Sequence, residues 1–319
     1  LRLALIGYGH VGRAFARLLA AKRAVYPFRI TGIHTRRGSA FDQRGLPLEP
    51  EFGVPINPIE EFLERARPEI MVEITTLNPE SGEPAISHIR AAFARYCHVV
   101  TANKGPIAHA YADLRDEAKR AGVQFRFEST CMDGAPVFNL ARHCLPGAKI
   151  LGFTGVLNST SKVVIAALRR GLTMEEGIAE AQKMGIAEAD ASFDIDGWDA
   201  AAKTAALANV LLDARTTPLA VDRKGIGRLT PDRVMELARK RKTVQLVSRA
   251  KVTAEGVKMR VRAEVIPEGD QLAALPGTSN LLLLHTDLMG TVGTVENAPG
   301  VDQTAYGLFS DIVDIAANL

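Results

Sequence analysis

Nothing in this chain approaches the run of about 20 apolar residues that a bilayer span requires. Its N-terminal apolar stretch, "LRLALIGYGHVG", is broken by glycines and a histidine. It reads as a buried strand leading into a helix, so neither a signal peptide nor a membrane anchor is expected. No Met opens the chain, so residues before Leu1 are expected. Cysteine is scarce as well: Cys97, Cys131 and Cys144 include no CxxC pair and their number is odd. A disulfide framework is therefore excluded, and a reducing cytoplasm is the expected location. Nor does one sign of charge dominate, because a formal net charge of +3 is too small to demand a polyanionic partner. Lys and Arg do crowd Arg223–Arg262, but acids interleave there and no aromatic residue is available to stack on bases. That stretch reads as a solvated helix and sheet face, and no nucleic-acid partner is expected. The histidines are scattered without a ligand cluster, and repeats and low-complexity linkers are missing.

What the chain has is apolar residues, 47% of 319, enough for one large or two intimate domains. Apolar strands at Phe28–His34, Ile70–Thr75, His98–Ala102 and Val123–Glu128 alternate with helical patterns at Ile59–Ala66, Pro84–Tyr96 and Ile107–Ala121. This alternation predicts a doubly wound parallel sheet, a Rossmann α/β domain over residues 1–130. The texture then changes. A strand at Ile150–Leu157 meets the turn "NSTS", and Thr173 with Glu176 three positions on predicts a capping box with Gly185 as the stop. Alternating strands near Val244–Val252 and Val257–Pro267, and another at Asn280–Thr286, predict a smaller α+β substrate and dimerisation domain over 131–295. The amphipathic helix Thr304–Ala317 lies in a last segment, 296–319, expected to return to the Rossmann domain.

"GYGHVG" places Gly7, Gly9 and Gly12 in a GxGxxG pattern, with a strand before it and a helix after it. Gly7 permits a tight turn, Gly9 lets the backbone approach a pyrophosphate, and Gly12 allows close helix–strand packing. His10 and Val11 open the helix whose unpaired N–H groups face the anion. Where an acid would read the ribose 2′-hydroxyl of NAD, the sequence has Arg36 and Arg37. Guanidiniums suit a 2′-phosphate, so NADP is expected, with NAD the alternative. Thr75 and Thr76 end a strand after Glu73, where parallel sheets bind ligands, and are candidates for the nicotinamide side.

The stretch "FDIDGWDAAAK" is ambiguous by itself. As a calcium loop it fails, because aligning Gly197 with the EF-hand glycine puts Lys203 where a bidentate glutamate must stand. Asp199 and Lys203 are spaced i,i+4, which as a surface pair is worth only about 0.3–0.5 kcal/mol. Five acids between Glu188 and Asp199 with no basic residue among them favour another reading, in which they meet a cationic group or support a protonated lysine.

"GEPAISHIRAAFARYCHVVTANKGPIA", with its Asn-Lys pair at Asn103 and Lys104, is similar to the cofactor-domain edge of the homoserine dehydrogenase family. "GVLNSTSKVVIAAL" resembles its Leu-Asn-Gly-Thr-Thr-Asn segment, "EAQKMGIAEADASFDIDGWDAAAKTAALA" its most diagnostic stretch, and "TAYGLFSDIVDIA" its closing helix. The resemblance implies reversible reduction of aspartate 4-semialdehyde to homoserine with NAD(P)H by a homodimer. It implies that Lys203 and Lys104 flank the reacting carbonyl, with Lys203 the proton donor. Asp199 would orient substrate, Glu188 would hold its amino group, and Asp194 would assist, with Asn158 and Thr160 also on the substrate. Glu128 would be the matching part of a monovalent-cation site, for an ion such as Na+. Three departures stand out: Ser159 replaces a glycine, an aromatic residue near Ile186 is missing, and the glycine-rich loop before the last helix becomes "ENAPGVDQ", keeping Gly300. The chain is also expected to lack the appended regulatory domain of some members. These departures leave two alternatives, a paralogue oxidising another small alcohol and a catalytically silent NADP-binding sensor.

Overall fold

The computed structural model describes residues 1–319. The chain folds into two compact units, Leu1–Asn139 with Gly300–Leu319, and Leu140–Pro299. The stretch 131–139, assigned from sequence to the second domain, thus belongs to the first. The cause is local, because the Glu128 carboxylate accepts the main-chain N–H groups of Val137, Phe138 and Asn139 at 2.5, 2.8 and 2.7 Å.

In the first unit, β1 (Arg2–Ile6), β2 (Arg29–Thr35), β3 (Gly38–Phe41), β4 (Ile70–Glu73), β5 (His98–Thr101) and β6 (Phe125–Arg126) form one sheet in the order β3-β2-β1-β4-β5-β6. Five strands are parallel. The sixth, β3, was not expected and folds back on β2 as an antiparallel edge. The central strands are apolar on both faces, as parallel strands covered by helices must be, and Leu3, Leu5, Ile70, Val72 and Val100 are fully buried. Helices α1 (His10–Lys22), α2 (Ile59–Ala66), α3 (Ala85–Phe93) and α4 (Lys104–Ala121) connect the strands. The last helix of the chain, Val301–Ala317, belongs to this unit, with Leu308, Phe309, Ile312 and Ile315 packed in one core with Phe15, Leu19 and Phe28. Each such buried side chain contributes about 1.5–3 kcal/mol. Asp311 on that helix accepts the Glu128 N–H at 2.8 Å, and Arg126 donates to Asp314 at 2.6 Å.

In the second unit, β7 (Ile150–Val156), β8 (Asp222–Lys224), β9 (Lys242–Thr253), β10 (Gly256–Pro267), β11 (Asn280–Thr286) and β12 (Thr291–Glu296) form a sheet in the order β12-β11-β7-β9-β10-β8. All its pairings are antiparallel except β8 with β10. The short β8 and the β12 strand, whose residues alternate in exposure, escaped the sequence reading. Helices α5 (Ser159–Arg169), α6 (Met174–Lys183), α7 (Ser192–Ile195), α8 (Trp198–Leu212) and α9 (Pro231–Arg239) complete it, and the closing helix of the chain is α10. The capping box forms as expected: Thr173 accepts from Glu176 N, and Glu176 accepts from Thr173 N. No helix is long and apolar enough to cross a membrane.

Candidate active site

The glycine turn lies beyond the end of β1, which pairs with β2 on one side and β4 on the other. That is the switch point of the sheet, where parallel α/β folds place their ligands. Gly7 N–H donates to the His34 carbonyl at 2.8 Å. Its φ of 105° and the Ile74 carbonyl oxygen, 2.5 Å from where a Cβ would stand, leave no room for a side chain. Gly9 is the opposite case, with nothing within 4 Å of a Cβ position. As N-cap of α1 it supplies no side-chain hydrogen bond, and the first turn carries no acid. The N–H groups of that turn stay available to an anion, with His10 exposed and Val11 half-buried beside them. Gly12 lets α1 close on Ile74, whose Cδ1 would lie 3.1 Å from a Cβ. These features fit a dinucleotide pyrophosphate.

Arg36 and Arg37 sit exposed in the β2–β3 turn, which is fixed by Thr35 Oγ1 accepting the N–H groups of Arg37 and Gly38 at 3.2 and 3.1 Å. At the end of β4, the fully buried Glu73 gathers the strand ends. Its carboxylate accepts the Thr75 N–H at 3.1 Å and the Thr75 hydroxyl, and the Thr101 hydroxyl donates to its carbonyl at 3.0 Å. Asn103 caps α4 by accepting from Gly105 N at 3.0 Å, and its Nδ2 donates to the Thr75 carbonyl at 3.3 Å. Thr75 and Asn103 are therefore brought together, while Thr76 stands outside this network and is exposed. Lys104 is the first residue of α4, a place the helix dipole disfavours for a cation. Gly300 caps α10 in an extended conformation.

Glu128, expected as a cation ligand, spends both carboxylate oxygens on the main chain of 137–139. No group of three or more His, Cys, Asp or Glu side chains gathers as a metal site. The Glu128 carboxylate is a clamp on this stretch of backbone.

In the second unit one network joins five of the predicted residues. Asn158 caps α5, its Oδ1 accepting from Ser161 N at 2.8 Å. Its Nδ2 donates to Asp194 at 2.6 Å and to Asp199 at 3.0 Å. Thr160 donates to the other Asp194 oxygen at 2.9 Å. Lys203 Nζ donates to the Leu157 carbonyl at 2.6 Å and lies 3.2 Å from Asp199. With side chains only 16% and 12% exposed, Lys203 and Asp199 are not the solvated surface pair that spacing alone allowed. Burial pushes the Asp194 carboxyl up from its ordinary range, and the Asp199 charge adds to this against the hydrogen bonds from Asn158 and Thr160. An ammonium held at once by a carboxylate and a main-chain carbonyl is a proton donor of fixed position. Glu188 stands apart from this network, exposed in the segment after α6, with its carbonyl held by Gln182 at 3.0 Å. Ser159 Oγ turns to the Thr278 carbonyl at 3.0 Å. Sequence reasoning missed the Leu157 carbonyl, which leaves no side-chain signal, and Glu73, whose signal was an acid inside an otherwise apolar strand.

Two family models match the chain: homoserine dehydrogenase over residues 136–313, and the homoserine dehydrogenase NAD-binding domain over residues 7–128. The chain belongs to the homoserine dehydrogenase family. It is 34% identical to an NAD(+)-dependent homoserine dehydrogenase of Pseudomonas canavaninivorans, covering 98% of this chain and 96% of that one. It is 33% identical to the homoserine dehydrogenase of Methanocaldococcus jannaschii, over 98% and 97%. Among solved structures, a putative homoserine dehydrogenase from Archaeoglobus fulgidus superposes with a TM-score of 0.88 at 28% identity, over 99% of both chains. A hyperthermophilic archaeal homoserine dehydrogenase in complex with NADPH gives 0.85 at 27%, over 100% of this chain and 98% of that one. The glycine turn and Lys104 fall within the NAD-binding match, and the Asn158–Lys203 network within the other.

Proposed function

We propose that this protein is an NADP-preferring homoserine dehydrogenase that reduces aspartate 4-semialdehyde to homoserine by reversible hydride transfer. The observation that carries the reading is the Asn158–Thr160–Asp194–Asp199–Lys203 network, a lysine ammonium fixed among buried polar groups. When bound, the nicotinamide cofactor supplies the hydride that adds to the aldehyde carbon. The oxygen left behind as an alkoxide takes its proton from Lys203 Nζ. Asp199 holds that ammonium in place, and the same amine accepts the hydroxyl proton when homoserine is oxidised. A positioned acid of this kind contributes about 10²–10⁴-fold. Asn158 and Thr160, oriented by Asp194, bind the substrate's polar groups. Glu188 receives the amino group, and Lys104 is the companion lysine at the carbonyl.

Gly7, Gly9, His10, Val11 and Gly12 hold the pyrophosphate, and Arg36 and Arg37 bind the 2′-phosphate of NADP. Thr75, Thr76, Asn103 and Gly300 serve the nicotinamide side. Support for NADP comes from two exposed guanidiniums at the end of β2 and from the NADPH complex of a similar protein, while an NAD(+)-dependent relative makes NAD the competing choice. A homodimer is the assembly we assign. The decisive assay follows NADPH and NADH oxidation with aspartate 4-semialdehyde and a panel of small aldehydes. Turnover of other aldehydes with none of the semialdehyde would replace this reading with the paralogue, and cofactor binding without any turnover would replace it with the sensor.

A further inference from the structure

The first turn of α5 carries Ser159 where the segment it resembles has glycine, and Lys162 where that segment has asparagine. Both side chains reach the same short stretch. Ser159 Oγ donates to the Thr278 carbonyl at 3.0 Å, and Lys162 Nζ donates to the Ser279 carbonyl at 2.6 Å. Lys162 is only 6% exposed, lining a cavity of about 290 Å³ with Arg169, Arg170, Glu180 and Gln245. The acid there is already taken, since Arg170 donates to Glu180. Burial pulls the Lys162 ammonium down to about 8. A buried lysine satisfied by a carbonyl costs the fold stability, so its return must lie in what it holds.

The fastened stretch is compact, with Ser279 N–H donating to the Pro276 carbonyl at 3.0 Å. It leads directly into Asn280, the first residue of β11. Leu281 pairs with Val156, so Asn280 lies at the sheet end where β7 delivers Leu157 and Asn158. Asn280 is 2% exposed, its Nδ2 donates to Glu296 at 3.4 Å, and its Oδ1 is buried without meeting any donor in the protein. Buried amide oxygens are normally satisfied, so this one is an acceptor that lacks its donor.

We infer that Ser159 and Lys162 are positioning residues: they fasten 276–280 to the first turn of α5 and make it, with Asn280 Oδ1 as its acceptor, a fixed wall for the polar end of the substrate. This rests on the proposed function and adds the residues that set substrate affinity. The ligand group it accepts is a hydrogen-bond donor, the hydroxyl or ammonium of a small amino alcohol.

The test uses Ser159→Gly, Lys162→Met and Asn280→Ala in the whole chain. Each should raise the KM for homoserine about 5- to 20-fold, the scale of one lost buried hydrogen bond. The kcat should change by less than about threefold and the KM for the nicotinamide cofactor should stay put, because neither contact touches the proton donor. The Ser159→Gly, Lys162→Met double variant should lose less than the product of its parts, since both hold one segment. Lys162→Met should also keep or raise Tm, whereas a merely structural lysine would lower it. Independently of turnover, amide exchange of residues 277–281 should accelerate in Ser159→Gly and Lys162→Met. Unchanged homoserine KM in an active, folded pair of variants, or unchanged exchange, overturns the inference while leaving the enzyme reading intact. A wild-type chain that exchanges as expected but never turns over homoserine overturns the reading, and the assigned role in affinity with it.

Discussion

The two units carry their candidate site residues in different materials. In the first, the atoms proposed to meet a ligand are main chain: glycine turns, helix N–H groups and strand ends, with Glu73 and Asn103 used to hold backbone in place. In the second, they are side chains, and five of them converge within hydrogen-bond distance. A backbone cradle tolerates variation in side chains but not in shape, so its signature is glycine. A side-chain cluster tolerates variation in shape but not in chemistry, so its signature is a set of acids and a lysine scattered over about 45 positions of chain.

The largest effect that would break this contrast is on Lys203. Lys203→Met should lower kcat by about 10²–10⁴-fold while leaving NADPH affinity within a small factor, measured by steady-state turnover and cofactor fluorescence titration. Equal losses in both quantities would mean the second unit shapes the cofactor site instead of donating a proton. Within the first unit, the glycines should separate. Gly7→Ala meets the Ile74 carbonyl oxygen and a φ of 105°, so it should cost about 1–3 kcal/mol of stability from the backbone conformation alone. Gly9→Ala meets no protein atom and should preserve Tm while weakening cofactor binding about tenfold or more, since the new methyl group occupies the approach to the pyrophosphate. Thermal melts and cofactor titrations on the two variants check this, and the opposite pattern would show that Gly9 is a folding requirement.

Arg36→Ala and Arg37→Ala should each reduce NADPH affinity about tenfold and leave NADH affinity unchanged, the usual worth of one charge-assisted hydrogen bond. Equal loss of both cofactors would move these arginines from 2′-phosphate recognition to general electrostatic attraction. Their placement is legible because β2 ends where apolar residues give way to "TRRGS".

Most of the first unit could be read in this way, since alternating apolar strands and helical patterns report their own periods. The exception was β3, a four-residue edge that opens with Gly38 packed against Phe52 and Gly53 and is too short to show an alternating pattern. In the second unit, β8 and β12 were missed because short or half-exposed edge strands look like loops. The site residues there were harder still. Asp194 and Asp199 are legible as acids, but nothing in their spacing says that one asparagine bridges both, since Asn158 lies far away in sequence and meets them only through the fold. The same holds for Ser159, which in sequence is only a replacement of the family's glycine and in the structure is a tie to Thr278. Glu128 is a further case, since nothing in the sequence says that its carboxylate gathers three main-chain N–H groups.

The smallest expected effect concerns pH, and it belongs to the side-chain half alone. Burial and the nearby Asp199 charge raise the Asp194 carboxyl, so in the folded protein it takes up a proton at a higher pH than in the unfolded chain. The stability it contributes is therefore fully present below its ordinary value near 4 and is lost as pH rises through the folded value. Protonation, however, removes the charge that orients Asn158 and Thr160. Acidification should thus move activity and stability in opposite directions: kcat/KM for homoserine falls a few-fold along a limb lying above the ordinary carboxylate range, while the Asp194 contribution to Tm rises. Asp194→Asn should flatten both responses, because the substituted amide carries no titrating proton. A variant that keeps the acid limb would assign it to another carboxylate, with Asp199 the nearest, and would move the orienting role one turn along the cluster.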